Sequence, residues 1–538
     1  MRTLDLAIIA AYLVGITLFG ILFSRKQETT RDYFLGGRSV PWWAIAASIV
    51  ATETSTVTFI SVPGIAFAKG GNFQFLQLVV GYMIGRVVIS LLFIPSYFRG
   101  DLLTVYQLLD RRFGGRIKML AATLFIVMRN IADGVRLLLT AIVLAAVYAA
   151  FQPDADADAI IVYSIILLGL VMIVFTYFGG MEAVIWVEVV QLGVYIAGAL
   201  AAALVLASAI GGGFGGALAA GAQFDKFDIV DLGFRQTLFT LRVPFTETVL
   251  ASFTLPLEVT KAYTFFAGLL GGCFLTMSTH GTDQYFVQRY LCTDRPRLAA
   301  QALLTSGAVV LAQFIGFLFI GALLFAYYQP YADANYAALA AGRATLPLDG
   351  DGGAFVSVAP DRVFPDFITK HMPSGLSGVV VAAIFAAALS SSLNSIAATA
   401  VNDLYKPFAR RTDDRHFLKV SHVLTLVWGA VQILIALAFR RSDTSALNQA
   451  LAVASLINGP VLGVFLVGTL LKRVGEPPAL IGMVTSMVVM FFVSFGTNLA
   501  WPWYAFVGSA ITLSVAWLAS LAFAPAPAER QDELSPAS

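Results

Sequence analysis

The stretch ASIVATETSTVTFISVPG (Ala47–Gly64) places a cluster of polar residues inside an apolar segment, residues 42–68, that is long enough to cross a bilayer. The polar members are Thr52, Glu53, Thr54, Ser55, Thr56 and Thr58. A carboxylate at the centre of a lipid-facing helix costs roughly 2.5–3.5 kcal/mol, so we expect Glu53 to face protein, water or a cation. The hydroxyls can satisfy backbone groups released by a broken helix, or replace the water shell of a hard cation. The alternative is that they bond back to their own helix and that Glu53 pairs with an arginine.

The composition of the chain is that of a membrane protein. Its 538 residues are 58% hydrophobic and 12% charged, with a mean hydropathy of +0.81. Such values exclude a soluble domain of this length and predict a polytopic protein surrounded by a lipid bilayer. The net charge of +2 is spread between apolar segments and does not form one basic face, so no nucleic-acid partner is expected. Cys273 and Cys292 give neither a disulfide framework nor a metal spacing.

Apolar runs near the spanning length of about 20 residues recur along the whole chain. The thirteen runs are residues 4–23, 42–68, 74–98, 118–150, 159–178, 181–208, 262–291, 298–328, 376–400, 419–439, 445–471, 478–496 and 501–523. They predict an all-α polytopic membrane protein with about 13 transmembrane helices. Basic residues concentrate in the loops after runs 1, 3, 7, 9 and 11, with Arg440 and Arg441 as a local exception. The positive-inside rule then predicts that the N-terminus lies outside and the C-terminus in the cytoplasm, and we expect the protein in the cell (inner) membrane.

A second interrupted segment resembles the first. GGCFLTMSTHGTDQYFVQR (Gly271–Arg289) carries glycines and a Ser-Thr-His-Gly-Thr-Asp run late in an apolar stretch. Irregular backbone at membrane depth is tolerated where it lines a cavity. Two interrupted helices that lie five spans apart are typical of a secondary transporter built from inverted repeats, with its binding site at the midplane.

Four motifs resemble those of the sodium:solute symporter family. They are DYFLGGRSVPWW (Asp32–Trp43), YFGGMEAVIWVEVVQ (Tyr177–Gln191), TDQYFVQRYL (Thr282–Leu291) and AAALSSSLNSIAATAVNDLYKPF (Ala386–Phe408). The resemblance covers about residues 5 to 471 and is closer to the monocarboxylate, vitamin and iodide branch than to the sugar branch. It implies the leucine-transporter-type five-plus-five inverted-repeat fold with two broken helices.

The resemblance divides the chain into five parts. They are a first transmembrane helix and cytoplasmic loop (1–41), a first repeat of five helices (42–208), an extracellular loop (209–261), a second repeat of five helices (262–471), and two peripheral helices with a cytoplasmic tail (472–538).

The resemblance also implies a principal sodium site between the first and eighth core helices. On the first helix the ligands are backbone carbonyls, here those of Ala51 and Thr54. On the eighth, an alignment from SLNS (Ser392–Ser395) puts the first expected hydroxyl pair on Ala387–Ala388 and the second on Ser390–Ser391. Methyl groups cannot coordinate sodium, so this alignment implies a weakened principal site. An alignment from SGLSG (Ser374–Gly378) makes Ser390–Ser391 the first pair, and we favour it because a coupling site needs oxygen ligands. Small polar residues here can also serve simply to let two helices approach.

Some members of the family carry a second sodium site, so one or two Na+ ions are expected as coupling ions. An acidic residue on the helix after the Gly-Gly turn completes that site, and the corresponding residue here is Glu188. A buried carboxylate at this position could equally take up a proton.

Solute contacts are expected from both broken helices and from the third and tenth core helices. The candidates are Thr52, Glu53, Thr56, Thr58, Arg129, Ser278, Thr279, His280, Ser455 and Asn458. Arg129 lies at helical spacing from Asp133 and Arg136, so these residues either form a structural pair or leave one arginine for an anionic solute.

The function expected from these features is sodium-coupled symport of a small polar or anionic organic solute (a monocarboxylate, amino acid, sugar acid or similar) by alternating access. A proton-coupled symporter that uses Glu53 or Glu188 is the alternative, and a solute-gated channel a more distant one. No enzyme is expected, because neither a cluster of metal-ligating histidines nor a nucleophile with a convincing base is present.

Overall fold

Apolar helices carry most of the chain. The computed structural model describes residues 3–22, 28–149, 152, 156–340, 360–388, 392–410, 413–441 and 456–527. The helices are α1 (Thr3–Ile21), α2 (Thr30–Leu35), α3 (Trp42–Glu53), α4 (Thr56–Phe67), α5 (Leu76–Leu92), α6 (Ile94–Tyr97), α7 (Tyr106–Arg112), α8 (Gly115–Ala149), α9 (Ala157–Ala209), α10 (Gly213–Gln223), α11 (Cys273–Gly281), α12 (Gln284–Tyr290), α13 (Pro296–Ala340), α14 (Pro360–Lys370), α15 (Leu376–Ala388), α16 (Leu393–Thr399), α17 (Asp414–Phe439), α18 (Asn458–Leu470), α19 (Glu476–Gly496) and α20 (Trp503–Ser520). Wider π-type turns, Ala267–Gly272 and Ala400–Tyr405, precede α11 and follow α16.

Six helices within the described residues are long and apolar enough to span a membrane by themselves, and α3 with α4 makes a seventh if the bent pair is one span. The expected count of about 13 spans is therefore not established by helix length. The reason is visible in the chain: several of the apolar runs are divided by breaks into helices that are individually too short. Leu76–Leu92, for example, is apolar but has fewer residues than a full span, and the short helix α6 follows it within the same run.

One glycine divides the longest helix. Gly180 has φ of +60° and ψ of −159°, and it interrupts α9 between the two apolar runs 159–178 and 181–208. A backbone with positive φ is open to glycine at little steric cost, whereas a side chain would clash. The Gly-Gly motif therefore changes the direction of the chain between two helical segments, as expected of a Gly-Gly turn.

The first predicted break lies between α3 and α4. Thr54 (φ −83°, ψ 101°) and Ser55 (φ −96°, ψ 167°) are extended, and the axes on either side of the break differ by 62°. Ser55 caps α4 by accepting a hydrogen bond from Thr58 N at 3.2 Å, and Ser55 N donates to Thr58 Oγ1 at 3.4 Å. The hydroxyl cluster thus satisfies the backbone groups that the break releases.

The second predicted break separates α11 from α12. Helix α11 ends at Gly281, and Asp283 has an extended backbone (φ −92°, ψ 123°) and begins the next helix. The Asp283 carboxylate accepts a hydrogen bond from Tyr285 N at 2.8 Å, which is N-capping by an acidic side chain. Both interrupted helices that the sequence indicates are therefore present.

The all-α expectation is wrong in one respect. Residues 209–261 contain α10 and an antiparallel hairpin of two strands, β1 (Thr237–Arg242) and β2 (Val249–Leu255). The strands are rich in β-branched and aromatic residues, which favour extended backbone, and they are too short to register in a hydropathy window of helical length. Asn498 fixes the hairpin to the chain after α19, because Thr240 N donates to its Oδ1 at 2.9 Å and its Nδ2 donates to Leu238 O at 2.8 Å.

Two charged side chains hold helix ends. Asp5 on α1 is fully buried and accepts hydrogen bonds from Gly375 N (2.7 Å) and Gly378 N (3.0 Å) at the start of α15. Lys226, which follows α10, donates to Phe67 O (3.2 Å) and Ala68 O (2.7 Å) at the end of α4. Each charge has the sign that the helix dipole favours at that end.

Candidate functional site

The first break is anchored by neighbouring helices. The Thr54 hydroxyl donates to Val50 O at 2.9 Å, accepts from Gln313 Nε2 on α13 at 2.6 Å, and lies 3.1 Å from the Tyr195 hydroxyl on α9. In a continuous helix Ser55 N would donate to the Ala51 carbonyl. Here it donates to Thr58 Oγ1, so the helical hydrogen-bond pattern stops at this point. The Ala51 and Thr54 carbonyls, which are predicted to hold sodium, therefore lie where the helical hydrogen bonds of α3 end. Cation sites formed by carbonyls use such unwound backbone.

An ion cluster joins the two broken helices. Glu53, the last residue of α3, pairs with Arg86 on α5, whose side chain is fully buried. His280 Nε2 lies 3.2 Å from Arg86 Nη2 and 3.6 Å from Glu53 Oε2. Arg86 can only donate, so His280 Nε2 accepts, and the ring hydrogen is on Nδ1, 2.9 Å from Thr279 Oγ1. The arginine partner that the sequence left open for Glu53 is thus Arg86.

Glu188 is also paired with an arginine. Its Oε1 accepts from Arg289 Nη2 at 2.5 Å and from the Thr52 hydroxyl at 3.1 Å. Its Oε2 accepts from Arg289 Nε at 3.3 Å and from Ser48 Oγ. Both charged side chains are fully buried. A bidentate guanidinium and two hydroxyls therefore supply donors to both carboxylate oxygens, and a cation at Glu188 has to displace at least one of them.

A cavity of about 200 Å³ opens between α8, the second break and the start of α18. Apolar side chains of α8 and α18 form part of its wall, and its polar lining comes from Tyr106, Arg129, Ser278, Thr279, Thr282, Asp283 and Asn458. An apolar pocket with a few convergent polar groups is the usual form of a small-molecule site. Here the polar groups include Arg129 and the side chains of Thr279, Thr282 and Asp283, which lie at or beside the second helix break.

Arg129 is the basic residue of this cavity wall. Its Nη2 lies 3.9 Å from Asp283 Oδ2, its Nε lies 3.8 Å from Asp133 Oδ2, and its guanidinium carbon lies 3.8 Å from the centre of the Tyr285 ring. Both ion-pair distances are longer than a hydrogen bond. Among the described residues neither nitrogen has a hydrogen-bond partner. The two carboxylates therefore balance the charge of the guanidinium, and these two nitrogens form no hydrogen bond with them.

The structure sorts the predicted solute contacts into separate places. Arg129, Ser278, Thr279 and Asn458 line the cavity. The others lie elsewhere: Glu53 and His280 belong to the ion cluster, Thr52 bonds to Glu188, and Thr58 completes the capping box that Ser55 begins at the start of α4. The remaining predicted residues, Ser390, Ser391 and Ser455, lie outside the described residues, and so do the side chains of Thr56 and Ala387. The binding roles of all these residues stay predictions.

Three charged residues of these sites are not among the sequence candidates. Arg86 lies in the middle of the apolar run 74–98, and an intramembrane charge is itself a signal of function that could have identified it. Asp283 directly follows a break, and Arg289 lies near the end of the motif TDQYFVQRYL. Their partners lie far away in the chain, so the sequence alone could not say which carboxylate each arginine meets.

Two broken helices, with a small polar cavity beside the second break, are typical of a membrane transporter that binds its solute where helices are interrupted. The chain belongs to the sodium:solute symporter family, whose model matches residues 33–486. The sodium/sialic acid symporter SiaT of Proteus mirabilis is 29% identical over 531 residues, 97% of this chain and 96% of that protein. The human sodium/iodide cotransporter is 26% identical over 91% of this chain and 68% of its own length.

A solved structure agrees with these relatives. The substrate-bound, outward-open state of a Na+-coupled sialic acid symporter is similar with a TM-score of 0.78 and 26% identity, over 97% of this chain and 98% of that one. The family prediction made from the four motifs is confirmed. The protein is a multi-pass, sodium-coupled membrane transporter and not an enzyme, with Na+ as its coupling ion.

Proposed function

We propose that the protein is a sodium-coupled symporter of a small organic anion, and that a sugar acid of the sialic acid type is its solute. Relatives that share nearly the full length with this chain are named as sodium/sialic acid symporters. A sialic acid carries a carboxylate and several hydroxyls. These groups match the charged and polar lining of the cavity, and monocarboxylates and amino acids share the carboxylate.

The observation that carries this proposal is the state of Arg129. Arg129 borders the cavity, and its buried Nε and Nη2 have no hydrogen-bond partner among the described residues; a guanidinium in this state is suited to a carboxylate, which it can bind with two parallel hydrogen bonds. Ser278, Thr279 and Asn458 face the same space and can bond hydroxyl or carbonyl groups of the solute. The arginine sets the charge preference, and the small polar side chains set the orientation.

Sodium is assigned to the principal site. The Ala51 and Thr54 carbonyls supply ligands at the first break, and Ser390 and Ser391 supply hydroxyls, or a weakened site results if Ala387 and Ala388 occupy that register. Carbonyl and hydroxyl oxygens are the ligands that a hard cation prefers. A cation at the second site has to displace at least one of the donors that Arg289, Ser48 and Thr52 already supply to Glu188, so we assign one coupling ion.

The proposed arrangement of the helices follows from the resemblance to the sodium:solute symporter family. Residues 42–208 and 262–471 form the two five-helix repeats, and the helices of residues 1–41 and 472–538 flank them. The protein lies in the cell (inner) membrane with the N-terminus outside and the C-terminus in the cytoplasm, because basic loops favour the cytoplasmic side.

Uptake into proteoliposomes tests the function. We expect an inward sodium gradient to drive accumulation of radiolabelled sialic acid, and neither a potassium gradient nor a pH gradient to replace it. Arg129→Gln should abolish uptake, because the anion loses its bidentate partner. Arg136→Gln is the matched control, since Arg136 pairs with the same Asp133 but does not line the cavity.

Three results would change this proposal. Uptake driven by a pH gradient alone would favour proton coupling through Glu53 or Glu188. Accumulation of lactate or of an amino acid in place of sialic acid would change the proposed solute class and leave the proposed sodium coupling unaffected. Full uptake by the Arg129→Gln protein would remove this arginine from the solute site.

A further inference from the structure

The spanning helix α19 carries an exposed apolar stripe along one face. Ile481, Val484, Val488 and Phe491 are each between 40% and 54% exposed, and they recur at intervals of three and four residues. Residues at these intervals share one face of a helix. The helix has 21 residues and is therefore about 31 Å long, close to the roughly 30 Å of a bilayer's hydrocarbon core. We conclude that this stripe faces lipid acyl chains and that Gly496, where α19 ends, lies at the edge of the hydrocarbon core.

The strand β1 runs along the end of α19 towards this edge. Leu241 pairs with Thr497, just beyond the helix. The next residue, Arg242, lies against Gly496, where an added Cβ would be 2.7 Å from the Arg242 carbonyl oxygen. Successive hairpin residues therefore meet successively earlier residues of α19. The hairpin turn, residues 243–248, is consequently the part of the hairpin that lies nearest to the membrane.

Phe245 in this turn extends the apolar stripe. Its ring centre lies 4.9 Å from that of Phe495 and 6.0 Å from that of Phe491, and both partners belong to the last two turns of α19. Phe245 nevertheless stays 71% exposed, and its φ of +62° is rare for a bulky residue. Trp501, which is also exposed, follows just after α19, as in the aromatic belts at membrane interfaces. The exposed ring of Phe245 therefore lies at the level where the acyl chains begin.

A cleft of about 500 Å³ opens between the hairpin turn and the end of α19. Arg242 and Glu247 line it, and Arg242 Nη1 donates to Glu247 Oε2 at 3.3 Å. Phe245 and Phe495 form an apolar side of the same cleft. Both signs of charge beside an apolar wall match a zwitterionic phospholipid, whose phosphate can accept from the guanidinium and whose amine can donate to the carboxylate.

We propose that the hairpin turn lies in the bilayer interface and binds a zwitterionic phospholipid. Phe245 inserts among the upper parts of the acyl chains beside α19, while Arg242 and Glu247 hold the headgroup. The continuity of Phe245 with the lipid-facing stripe is what assigns lipid to this surface. The inference goes beyond the proposed function, because it requires neither the solute nor sodium and holds for either orientation of the protein in the membrane.

Fluorescence quenching in proteoliposomes tests the depth of the turn. The same fluorophore is attached to Phe245→Cys and, as the matched control, to Thr254→Cys. Thr254 is exposed and pairs with Leu238 at the far end of the hairpin, and both native cysteines are buried. We expect a phospholipid with a doxyl group near the top of its acyl chain to quench the label at position 245, and aqueous iodide to quench only the label at position 254.

Thermal unfolding in detergent tests the headgroup contact and needs no label. We expect added phosphatidylethanolamine to raise the melting temperature of the wild-type protein, and this rise to be smaller in Arg242→Gln because the phosphate loses its partner. Arg235→Gln is the matched control. Arg235 precedes the same hairpin and pairs with a carboxylate, Asp231, but it does not line the cleft. This variant should keep the full rise.

Three results would overturn the inference. Equal quenching of both labels by iodide would place the hairpin turn in water. An equal rise in melting temperature for Arg242→Gln and the wild-type protein would remove the headgroup from the cleft. Disulfide-linked dimers of Phe245→Cys, together with a label that neither lipid nor iodide quenches, would show that a second copy of the chain covers the turn. If the protein transports no sialic acid, the proposed solute fails and these measurements still decide the role of the hairpin.

Discussion

At the scale of single residues, the buried arginines show how charge is accommodated at membrane depth. Arg86 and Arg289 are both fully buried, and each meets a carboxylate on a different helix. An isolated buried charge is costly, whereas a paired and hydrogen-bonded one is tolerated. The two ion pairs therefore tie α3 and α12, which border the two breaks, to α5 and α9.

The Glu188–Arg289 pair gives a stability prediction. Glu188→Gln leaves Arg289 without a counterion in a dry environment, so we expect the protein to lose about 3–5 kcal/mol of stability. The double replacement Glu188→Met with Arg289→Met removes both charges and should recover most of that loss. Thermal unfolding of the three proteins in detergent, followed by tryptophan fluorescence, measures the effect.

The same proteins test the number of sodium ions. We expect the Hill coefficient for sodium to be near one in the wild-type protein and unchanged in the double variant. A coefficient near two that falls to one in the double variant would assign a sodium ion to Glu188 and contradict our single-ion proposal.

The sequence could identify several of these residues but not their partners. Glu53 is conspicuous because five hydroxyls surround it within a spanning segment, and Arg129 because it lies at helical spacing from Asp133. Arg86 and His280 lie in other spans, so only the folded arrangement shows that they meet Glu53. Pairing between helices depends on packing, which local pattern does not encode.

At the scale of helices and strands, the breaks follow from local chemistry. Ser55 and Asp283 are good N-cap residues placed directly after the points where the chain leaves helical geometry. Such signals lie within a few neighbouring residues, which is why the sequence predicts both broken helices. The β1–β2 hairpin was missed because each of its strands is shorter than the spanning length that the hydropathy pattern detects.

Lys226 gives a prediction about pH at one of these elements. It lies outside the spanning helices, and burial lowers its pKa to about 8 from the usual value of 10.5. Its protonated form is thus disfavoured in the fold compared with water. The contribution of Lys226 to stability should therefore rise as the pH rises through 8 towards 10.

A variant isolates this contribution. Lys226→Met keeps an apolar stem beside Phe325, whose ring centre lies 4.3 Å from the Lys226 ammonium, but it cannot titrate. The difference in melting temperature between wild type and Lys226→Met should shift in favour of the wild type between pH 8 and pH 10. A difference that is constant over this range would mean that Lys226 titrates as it does in water.

At the scale of the whole molecule, the orientation in the membrane can be tested by labelling. Glu247 in the hairpin turn is 97% exposed, and Arg473 between α18 and α19 is exposed. We expect an impermeant maleimide to label Glu247→Cys in intact cells, and Arg473→Cys only after the membrane is opened. Both native cysteines, Cys273 and Cys292, are buried, so the background should be low. The reverse pattern would invert the proposed topology.

The overall architecture was largely predictable because its signals repeat along the chain. Hydropathy gives the membrane class, and four motifs in unbroken order give the family, which the match over residues 33–486 confirms. The number of spans was not predictable in the same way. Thr54 divides one apolar run into two helices, whereas Gly180 lies between two runs that α9 carries, so whether such pieces make one span or two depends on geometry.

The hairpin offers a practical handle for imaging. It is fastened to Asn498, at the junction of the two last helices, and Leu241 pairs with Thr497 at the same junction. By the proposed division these helices flank the repeats that rock during transport. An antibody fragment raised against the strands would therefore add mass and an alignment marker to a small membrane particle. It would not bind the helices that are proposed to hold solute and sodium. Such a fragment should bind every conformation equally well, and so permit several states to be sorted from a single frozen sample.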